Sequence, residues 1–184
     1  MAKTESNMIQ LGTASPGFHL LCPSLGKTLS WNDCRGEKAT VIVFMCNHCP
    51  FVVHIAEGLA KFAKEWMQRG VGFTGINSNN ILTHPEDSPD KMVEYARKWD
   101  LTFPYLYDET QEVARSFGAA CTPDFFVYGT DDRLIYRGQF DSSRPGNGVP
   151  VTGDSLGEAL RLYLNEKKIL DDQRPSLGCN IKWK

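Results

Sequence analysis

The chain has 184 residues, of which 41% are hydrophobic and 23% are charged, and its formal net charge at pH 7 is −2. This length suits one domain, so we expect a single domain over 1–184, with a core of about 15–168 and a C-terminal tail over 169–184. The near-neutral charge gives no electrostatic argument for nucleic acid or an anionic membrane as a partner, and neither is predicted. The start of the chain lacks the apolar stretch of a secretory signal, and no run is long enough to span a membrane, which predicts a soluble, cytoplasmic protein.

Strand patterns dominate the first part of the chain. Short strand-like runs at 18–21 and 27–30 flank the turn residues 23–26, which predicts an N-terminal hairpin. Residues 39–45 are nearly all apolar, which indicates a strand that is covered on both of its faces.

The motif Cys46-Asn47-His48-Cys49-Pro50 follows this strand directly. Apolar residues then recur at steps of three and four between 55 and 66, and the glycine at 70 ends the pattern, so a helix is predicted. Two thiols therefore lie between the end of a strand and the start of a helix. Backbone N–H groups without intrahelical partners and the helix dipole both stabilise a thiolate there, which points to thiol chemistry.

Alternating strands and helices are predicted for the middle of the chain. Residues 71–77 form the next strand, and Ser88-Pro89 provides an N-cap followed by a proline, so a helix is predicted to run from there to Trp99. A short strand over 103–107 and a helix over 110–117 follow.

A hairpin and a helix are the last predicted elements. The hairpin has strands at 125–128 and 134–137, and the amphipathic helix covers 155–168. Strands and helices that alternate and then end in this way predict an α/β fold in which helices cover both faces of one sheet.

The six cysteines do not have the spacing of a disulfide framework, and we expect most of them to be reduced. Only Cys46 and Cys49 have a spacing that carries meaning by itself. Zinc is the main competing use of such a pair, but a structural zinc site usually needs four ligands, commonly from a second close pair. The sequence has no second CxxC or HxxxH pair, so no metal is predicted. The other cysteines are Cys22, Cys34, Cys121 and Cys179.

A second motif accompanies the cysteine pair, because Thr122-Pro123 leads into a strand that begins at Asp124. A strand–CxxC–helix unit with a downstream Thr-Pro resembles the thioredoxin-like superfamily. The helix and strand between 80 and 107, together with the N-terminal hairpin, resemble its redoxin branch, which includes the alkyl hydroperoxide reductase/thiol-specific antioxidant family. The resemblance implies an α/β thioredoxin-like fold with a central mixed β-sheet flanked by helices, the N-terminal hairpin and a redoxin-type insertion.

The same resemblance implies a thiol–disulfide oxidoreductase that needs no cofactor. Cys46 would be the exposed nucleophile that attacks a substrate disulfide, and Cys49 would resolve the mixed disulfide. Pro123 would follow a cis peptide bond, and Thr122 would offer backbone hydrogen bonds to a substrate chain and block metal capture. The partners implied are a thiol or disulfide substrate and an electron donor that the sequence does not identify.

His48 stands just before the second cysteine, as it does in oxidising members of the superfamily. A protonated imidazole beside a thiol lowers the pKa of that thiol, so His48, with Asn47 and Pro50 in the same loop, is predicted to tune the pair. We therefore expect a pair that is less reducing than that of thioredoxin. The alternative is a solvated histidine that has little effect on the thiols.

Two further thiols have open roles. The resemblance places the Thr122-Pro123 loop beside the redox pair, so Cys121 is a candidate third thiol or metal ligand, although a buried small side chain is the commoner role. Cys179 lies in the tail 178–184, whose apolar residues predict packing against this chain or against the partner in a homodimer. Structural anchoring is favoured over a resolving role for Cys179.

Two other functions stay open. Peroxiredoxins use the motif Pro-x-x-x-Thr/Ser-x-x-Cys and a later arginine to bind peroxide. When their reactive cysteine is aligned with Cys49, Ile42 takes the proline position and Cys46 the hydroxyl position, and residues 121–123 lack the arginine. Disulfide exchange therefore ranks above a peroxidase, and an antioxidant role is retained as an alternative. The third hypothesis is a non-catalytic module that senses redox state or binds a metal.

Overall fold

In the computed structural model, which describes residues 3–184, a mixed sheet of seven strands forms the centre of the fold. In spatial order the strands are β3 (Lys27–Ser30), β2 (His19–Cys22), β6 (Tyr105–Tyr107), β5 (Val71–Asn77), β4 (Ala39–Phe44), β8 (Asp124–Tyr128) and β9 (Leu134–Gly138). The central strand β4 pairs in parallel with β5 and antiparallel with β8. The predicted α/β fold with a mixed sheet and an N-terminal hairpin is therefore confirmed.

Within the described residues, five helices flank the sheet. They are α1 (Trp31–Cys34), α2 (Pro50–Met67), α3 (Pro89–Lys98), α4 (Glu112–Phe117) and α5 (Asp154–Glu166), and a 3₁₀ turn at Pro85–Asp87 precedes α3. The predicted insertion consists of α3 and β6. Ser88 is the N-cap of α3 and Pro89 its first residue, as the sequence indicated. None of the helices in residues 3–184 is both long and apolar enough to cross a membrane.

Both faces of β4 are buried, as its apolar sequence predicted. Val41 and Val43 point into the core that is shared with α2, α3 and α5. Ile42 and Phe44 point into a second core, which includes α4 and α1. Side chains alternate along a strand, so a strand that supplies both cores must be apolar at every position.

A second, smaller sheet joins the two ends of the described chain to its middle. Its strands, all antiparallel, lie in the order β1 (Lys3–Glu5), β10 (Leu177–Asn180) and β7 (Cys121–Thr122). Ile181, just after β10, is buried. This part of the predicted tail therefore packs against its own chain.

Candidate functional site

The cysteine motif lies where the sequence placed it, between the end of β4 at Phe44 and the start of α2 at Pro50. Cys49 is the N-cap of α2, and Pro50 is its exposed first residue. Proline suits this position because its missing N–H would have had no partner inside the helix. The second thiol of the motif therefore sits at the positive end of an 18-residue helix.

The two thiols of the motif are both buried, which differs from the prediction of an exposed nucleophile at Cys46. Cys46 is 1% exposed and Cys49 is 0% exposed. The loop at Thr122-Pro123, whose peptide bond is cis as the resemblance implied, lies against both sulfurs. The hydroxyl oxygen of Thr122 lies 3.5 Å from Cys46 Sγ, and its carbonyl oxygen lies 3.2 Å from Cys49 Sγ. A substrate disulfide reaches either sulfur only after neighbouring groups move.

The third thiol at the site is Cys179, not Cys121. Sγ of Cys179 lies 2.8 Å from Sγ of Cys49. Cys121 is buried next to Thr122 on β7, where its sulfur lies 3.7 Å from the carbonyl oxygen of Pro123 and burial raises its pKa. Neighbouring residues on a strand point to opposite sides, so Cys121 and Thr122 do not share a face.

The edge of β7 at Thr122 is occupied by the chain itself. The resemblance to the thioredoxin-like superfamily implied that the Thr122 backbone would offer hydrogen bonds to a substrate chain. In the structure Cys179 of β10 stands directly opposite Thr122 in an antiparallel pair. The same pairing brings the sulfur of Cys179 to the redox motif, and no local sequence pattern indicated it.

Cys49 has the lowest thiol pKa of the site. The Cys49 thiol donates to Sγ of Cys179 at 2.8 Å and to the carbonyl oxygen of Thr122 at 3.2 Å. The side chains of Cys179 and Cys46 lower the pKa of Cys49 to about 2, although burial acts in the opposite direction, and the backbone of Val52 and the side chain of Thr122 lower it further. The hydrogen bond to Cys49, together with burial, raises the pKa of Cys46 and that of Cys179. Of the three thiols, Cys49 is therefore the one whose ionisation the site favours.

This assignment predicts an ultraviolet thiolate band that depends on Cys49. In the reduced protein we expect thiolate absorbance near 240 nm to persist at about pH 5, because the pKa of Cys49 is lowered to about 2. Cys49→Ser should remove the band, whereas Cys34→Ser should leave it unchanged, since burial raises the pKa of Cys34. A band that appears only above about pH 8 in the wild-type protein would contradict the assignment.

A buried carboxylate that the sequence analysis missed organises the loop between the two cysteines. Asp87 is 0% exposed. It accepts hydrogen bonds from the backbone N–H of Asn47 at 2.8 Å, from Nδ1 of His48 at 2.6 Å and from Nδ2 of Asn79 at 2.8 Å. The hydroxyl of Tyr105 donates to Oδ1 of Asn47 at 3.0 Å and fixes the same loop from its other side.

His48 is held by this carboxylate instead of being solvated. The hydrogen bond to Asp87 raises the pKa of His48, against the effect of partial burial. The ring of His48 also stacks on that of His84, with centroids 5.0 Å apart. Because Asp87 compensates the charge of His48 and itself raises the pKa of Cys46, the imidazole is not the main cause of thiolate formation here.

One group of side chains has the composition of a metal site. Ligand atoms of Cys46, His48 and Asp87 lie within 4.8 Å of one another. Nδ1 of His48 and Oδ2 of Asp87 already share a hydrogen bond of 2.6 Å. A metal that used both of these atoms would have to replace that bond.

Comparisons with known proteins agree with this description. The sequence model of the Redoxin family matches residues 10–155. An uncharacterized conserved protein from Geobacillus kaustophilus is 48% identical and superposes with a TM-score of 0.98 over 100% of this chain and 97% of that chain. A hypothetical protein from Sinorhizobium meliloti 1021 is 43% identical, with a TM-score of 0.95 over 98% of each chain. A comparison with curated proteins finds no match.

A more distant solved structure confirms the thioredoxin-like fold. The thioredoxin domain of a thiol-disulfide oxidoreductase from Bacteroides vulgatus superposes with a TM-score of 0.65 over 85% of this chain and 99% of that chain. The two sequences are 14% identical, so the likeness concerns the fold alone.

Proposed function

The chain belongs to the Redoxin family, and on that premise we propose that it is a thiol–disulfide oxidoreductase that exchanges disulfides through Cys46 and Cys49. Family membership supports redox chemistry at thiols in general. The observation that supports exchange at this pair is the place of Cys49 at the N-terminus of α2 and 2.8 Å from Sγ of Cys179, where its pKa is lowered. A thiolate is the nucleophile in disulfide exchange, and a second thiol beside it completes the reaction.

The pKa difference between Cys49 and Cys46 sets the order in which the two thiols react. The Cys49 thiolate attacks one sulfur of the substrate disulfide, so that a mixed disulfide forms and the first substrate thiolate leaves. Cys46 then no longer donates to a Cys49 thiolate, which removes the main cause of its raised pKa. Cys46 passes its proton to the departed thiolate and attacks Cys49, which forms the Cys46–Cys49 disulfide and releases the second substrate thiolate. The substrate gains two electrons, and an external thiol donor returns the pair to its reduced form.

The test is catalytic reduction of a disulfide with dithiothreitol as electron donor. We expect the wild-type protein to reduce glutathione disulfide faster than it reduces insulin, because both thiols are buried and a small disulfide requires less movement of the surrounding loops. The matched control is the Cys46→Ser/Cys49→Ser double variant. A wild-type rate equal to that of the double variant with both substrates would refute the proposal.

Stabilisation of the Cys49 thiolate should also raise the redox potential of the Cys46–Cys49 pair. A thiolate that is stabilised in the reduced form makes the disulfide a stronger oxidant, so we expect a midpoint potential above the value of about −270 mV of thioredoxin. Equilibration with glutathione buffers, acid quenching and quantification of the Cys46–Cys49 disulfide give the value. A potential at or below that of thioredoxin would contradict the assignment of the charge to Cys49.

A thiol peroxidase is the second candidate, and it is favoured by the place of Cys49 at the N-terminus of α2, where its pKa is lowered. Cys49 is the residue that aligns with the reactive cysteine of peroxiredoxins, but the proline, the hydroxyl and the arginine of their motif are missing at the aligned positions. We therefore expect the reduced protein to react with hydrogen peroxide about as slowly as a free cysteine thiolate does. A much higher second-order rate constant, retained in Cys46→Ser and lost in Cys49→Ser, would establish Cys49 as a peroxidatic cysteine.

A further inference from the structure

Cys179 brings a third sulfur to the Cys46–Cys49 pair. Its Sγ lies 2.8 Å from Sγ of Cys49. A disulfide bond is about 2.05 Å long, so the two sulfurs need to approach by less than about 1 Å to form one. We propose that Cys49 and Cys179 form a disulfide, so that Cys49 exchanges between two partners, Cys46 and Cys179. This inference rests on the proposed function, whose substrate supplies the oxidising equivalent.

The position of Cys179 is fixed by backbone pairing. Cys179 stands opposite Thr122 in the β10–β7 pair, and the carbonyl oxygen of Thr122 lies 3.2 Å from Cys49 Sγ. A Cβ atom at Gly178 would lie 2.0 Å from that carbonyl oxygen, so the two strands approach as closely as only glycine permits. The Cys179 side chain is therefore held against the pair by the strand that carries it.

The chain after Cys179 is anchored as well. Ile181 is 1% exposed, and its N–H donates to the carbonyl oxygen of Ala120 at 3.2 Å. The backbone N–H of Lys182 donates to Oδ1 of Asn79 at 2.8 Å, and Asn79 itself binds Asp87. Because both sides of Cys179 are fixed, bond formation with Cys49 orders little additional chain.

The exchange step needs no further reagent. In the protein with a Cys46–Cys49 disulfide, Cys179 loses its proton and attacks Sγ of Cys49. The Cys49–Cys179 bond forms, the Cys46–Cys49 bond breaks, and Cys46 leaves as a thiolate that takes up the proton. The number of disulfides is unchanged. Cys179 can equally attack a mixed disulfide between Cys49 and substrate, in which case the substrate thiolate leaves and takes the proton.

The consequence is a second oxidised form of the protein. In this form Cys46 is a thiol again while the oxidising equivalent is stored between Cys49 and Cys179. The pairing of β10 with β7 then becomes covalently linked to the N-terminus of α2. An electron donor for this form must reach Cys179 or Cys49 and not Cys46.

The variant Cys46→Ser isolates the proposed bond. We would equilibrate it with oxidising glutathione buffers, quench with acid, alkylate the remaining thiols under denaturing conditions and digest with trypsin. Residues 39–61 form one tryptic peptide, which holds both positions 46 and 49, whereas Cys179 lies on a peptide that ends at Lys182. A Cys46–Cys49 disulfide therefore stays within one peptide, and a Cys49–Cys179 disulfide joins two.

We expect joined peptides from most Cys46→Ser molecules and none from Cys46→Ser/Cys179→Ser. The double variant should instead retain glutathione on Cys49, at least about tenfold more than Cys46→Ser does, because no neighbouring thiol displaces it. Cys46→Ser/Cys121→Ser is the matched control and should still give the joined peptides. Circular dichroism of each variant checks the fold.

Two results would overturn the inference. One is equal retention of glutathione by Cys46→Ser and by the double variant, and the other is a Cys46→Ser protein that stays reduced in a buffer that fully oxidises the wild type. Either would leave Cys179 as a hydrogen-bond partner of Cys49 only. A wild-type protein that forms no disulfide within peptide 39–61 would count against the proposed function, and the Cys46→Ser result would be unaffected by it.

Discussion

Replacing Cys49 by serine should lower the rate of disulfide reduction by on the order of 10³-fold or more, because the change removes the nucleophile itself. The side chains of Cys179 and Cys46 lower the pKa of Cys49 and so favour its thiolate. Both disulfides proposed for the protein also contain this sulfur. Cys46→Ser should retain more activity than Cys49→Ser, since Cys179 still reaches the mixed disulfide on Cys49.

The measurement is the turnover of glutathione disulfide by both variants, with Cys34→Ser as the control for loss of a buried thiol in the other core. A substrate adduct identifies the attacking sulfur. We expect glutathione on Cys49 in Cys46→Ser/Cys179→Ser. If Cys49→Ser accumulates glutathione on Cys46 instead, then Cys46 attacks first, as the resemblance to the superfamily implied.

The sheet and its flanking helices were predictable because their signals are local. The apolar run of β4 predicted burial on two faces, and its side chains do divide between two cores. Ser88-Pro89 predicted the start of α3. Neither α1, which has only four residues, nor β10, whose partners are distant in the chain, was predicted. Short elements are defined by tertiary pairing more than by their own periodicity.

Only those features of the site that belong to short sequence motifs were predictable. The spacing of Cys46 and Cys49 identified the thiols, and Thr122-Pro123 identified the loop that covers them. Their burial depends on contacts between segments more than 70 residues apart, which a motif does not encode. Cys179 is 130 residues from Cys49 in the chain, so its contact with the pair follows from strand pairing alone.

The sequence contains a weaker indication of the hydrogen-bond network around Asp87. The carboxyl ends of the parallel strands β4 and β5 lie at the same edge of the sheet, and polar residues follow both strands. Asn77, the last residue of β5, and Asn79, just after it, were therefore candidates for a network with Asn47 and His48. The acceptor that completes this network, Asp87, comes from the 3₁₀ turn before α3, which has no apolar periodicity.

Replacing Asp87 by asparagine should lower the free energy of unfolding by about 3 kcal/mol, because a buried ion pair would lose one partner. The carboxylate accepts hydrogen bonds from His48, Asn47 and Asn79, and an amide nitrogen in place of Oδ2 would face donors on His48 and Asn79. Denaturant unfolding measures the loss. Glu86→Gln is the control, since Glu86 is half exposed and 3.9 Å from His48, and should cost less than about 0.5 kcal/mol.

The stability lost in Asp87→Asn should depend on pH if it comes from the His48–Asp87 pair, and this distinguishes the pair from the hydrogen bonds of Asp87 to Asn47 and Asn79. The pKa of folded His48 is raised, chiefly by its hydrogen bond to Asp87, so the pair contributes its full stability below the unfolded value of about 6.5 and loses it as the pH rises through the folded pKa. The effect of Asp87→Asn should therefore be larger at about pH 5.5 than at about pH 8.5. An NMR titration should also show a lower pKa for His48 in the variant. An unchanged His48 pKa, with a loss that does not vary with pH, would mean that Asp87 supports the Cys46–Cys49 loop through Asn47 and Asn79 and not through the imidazole.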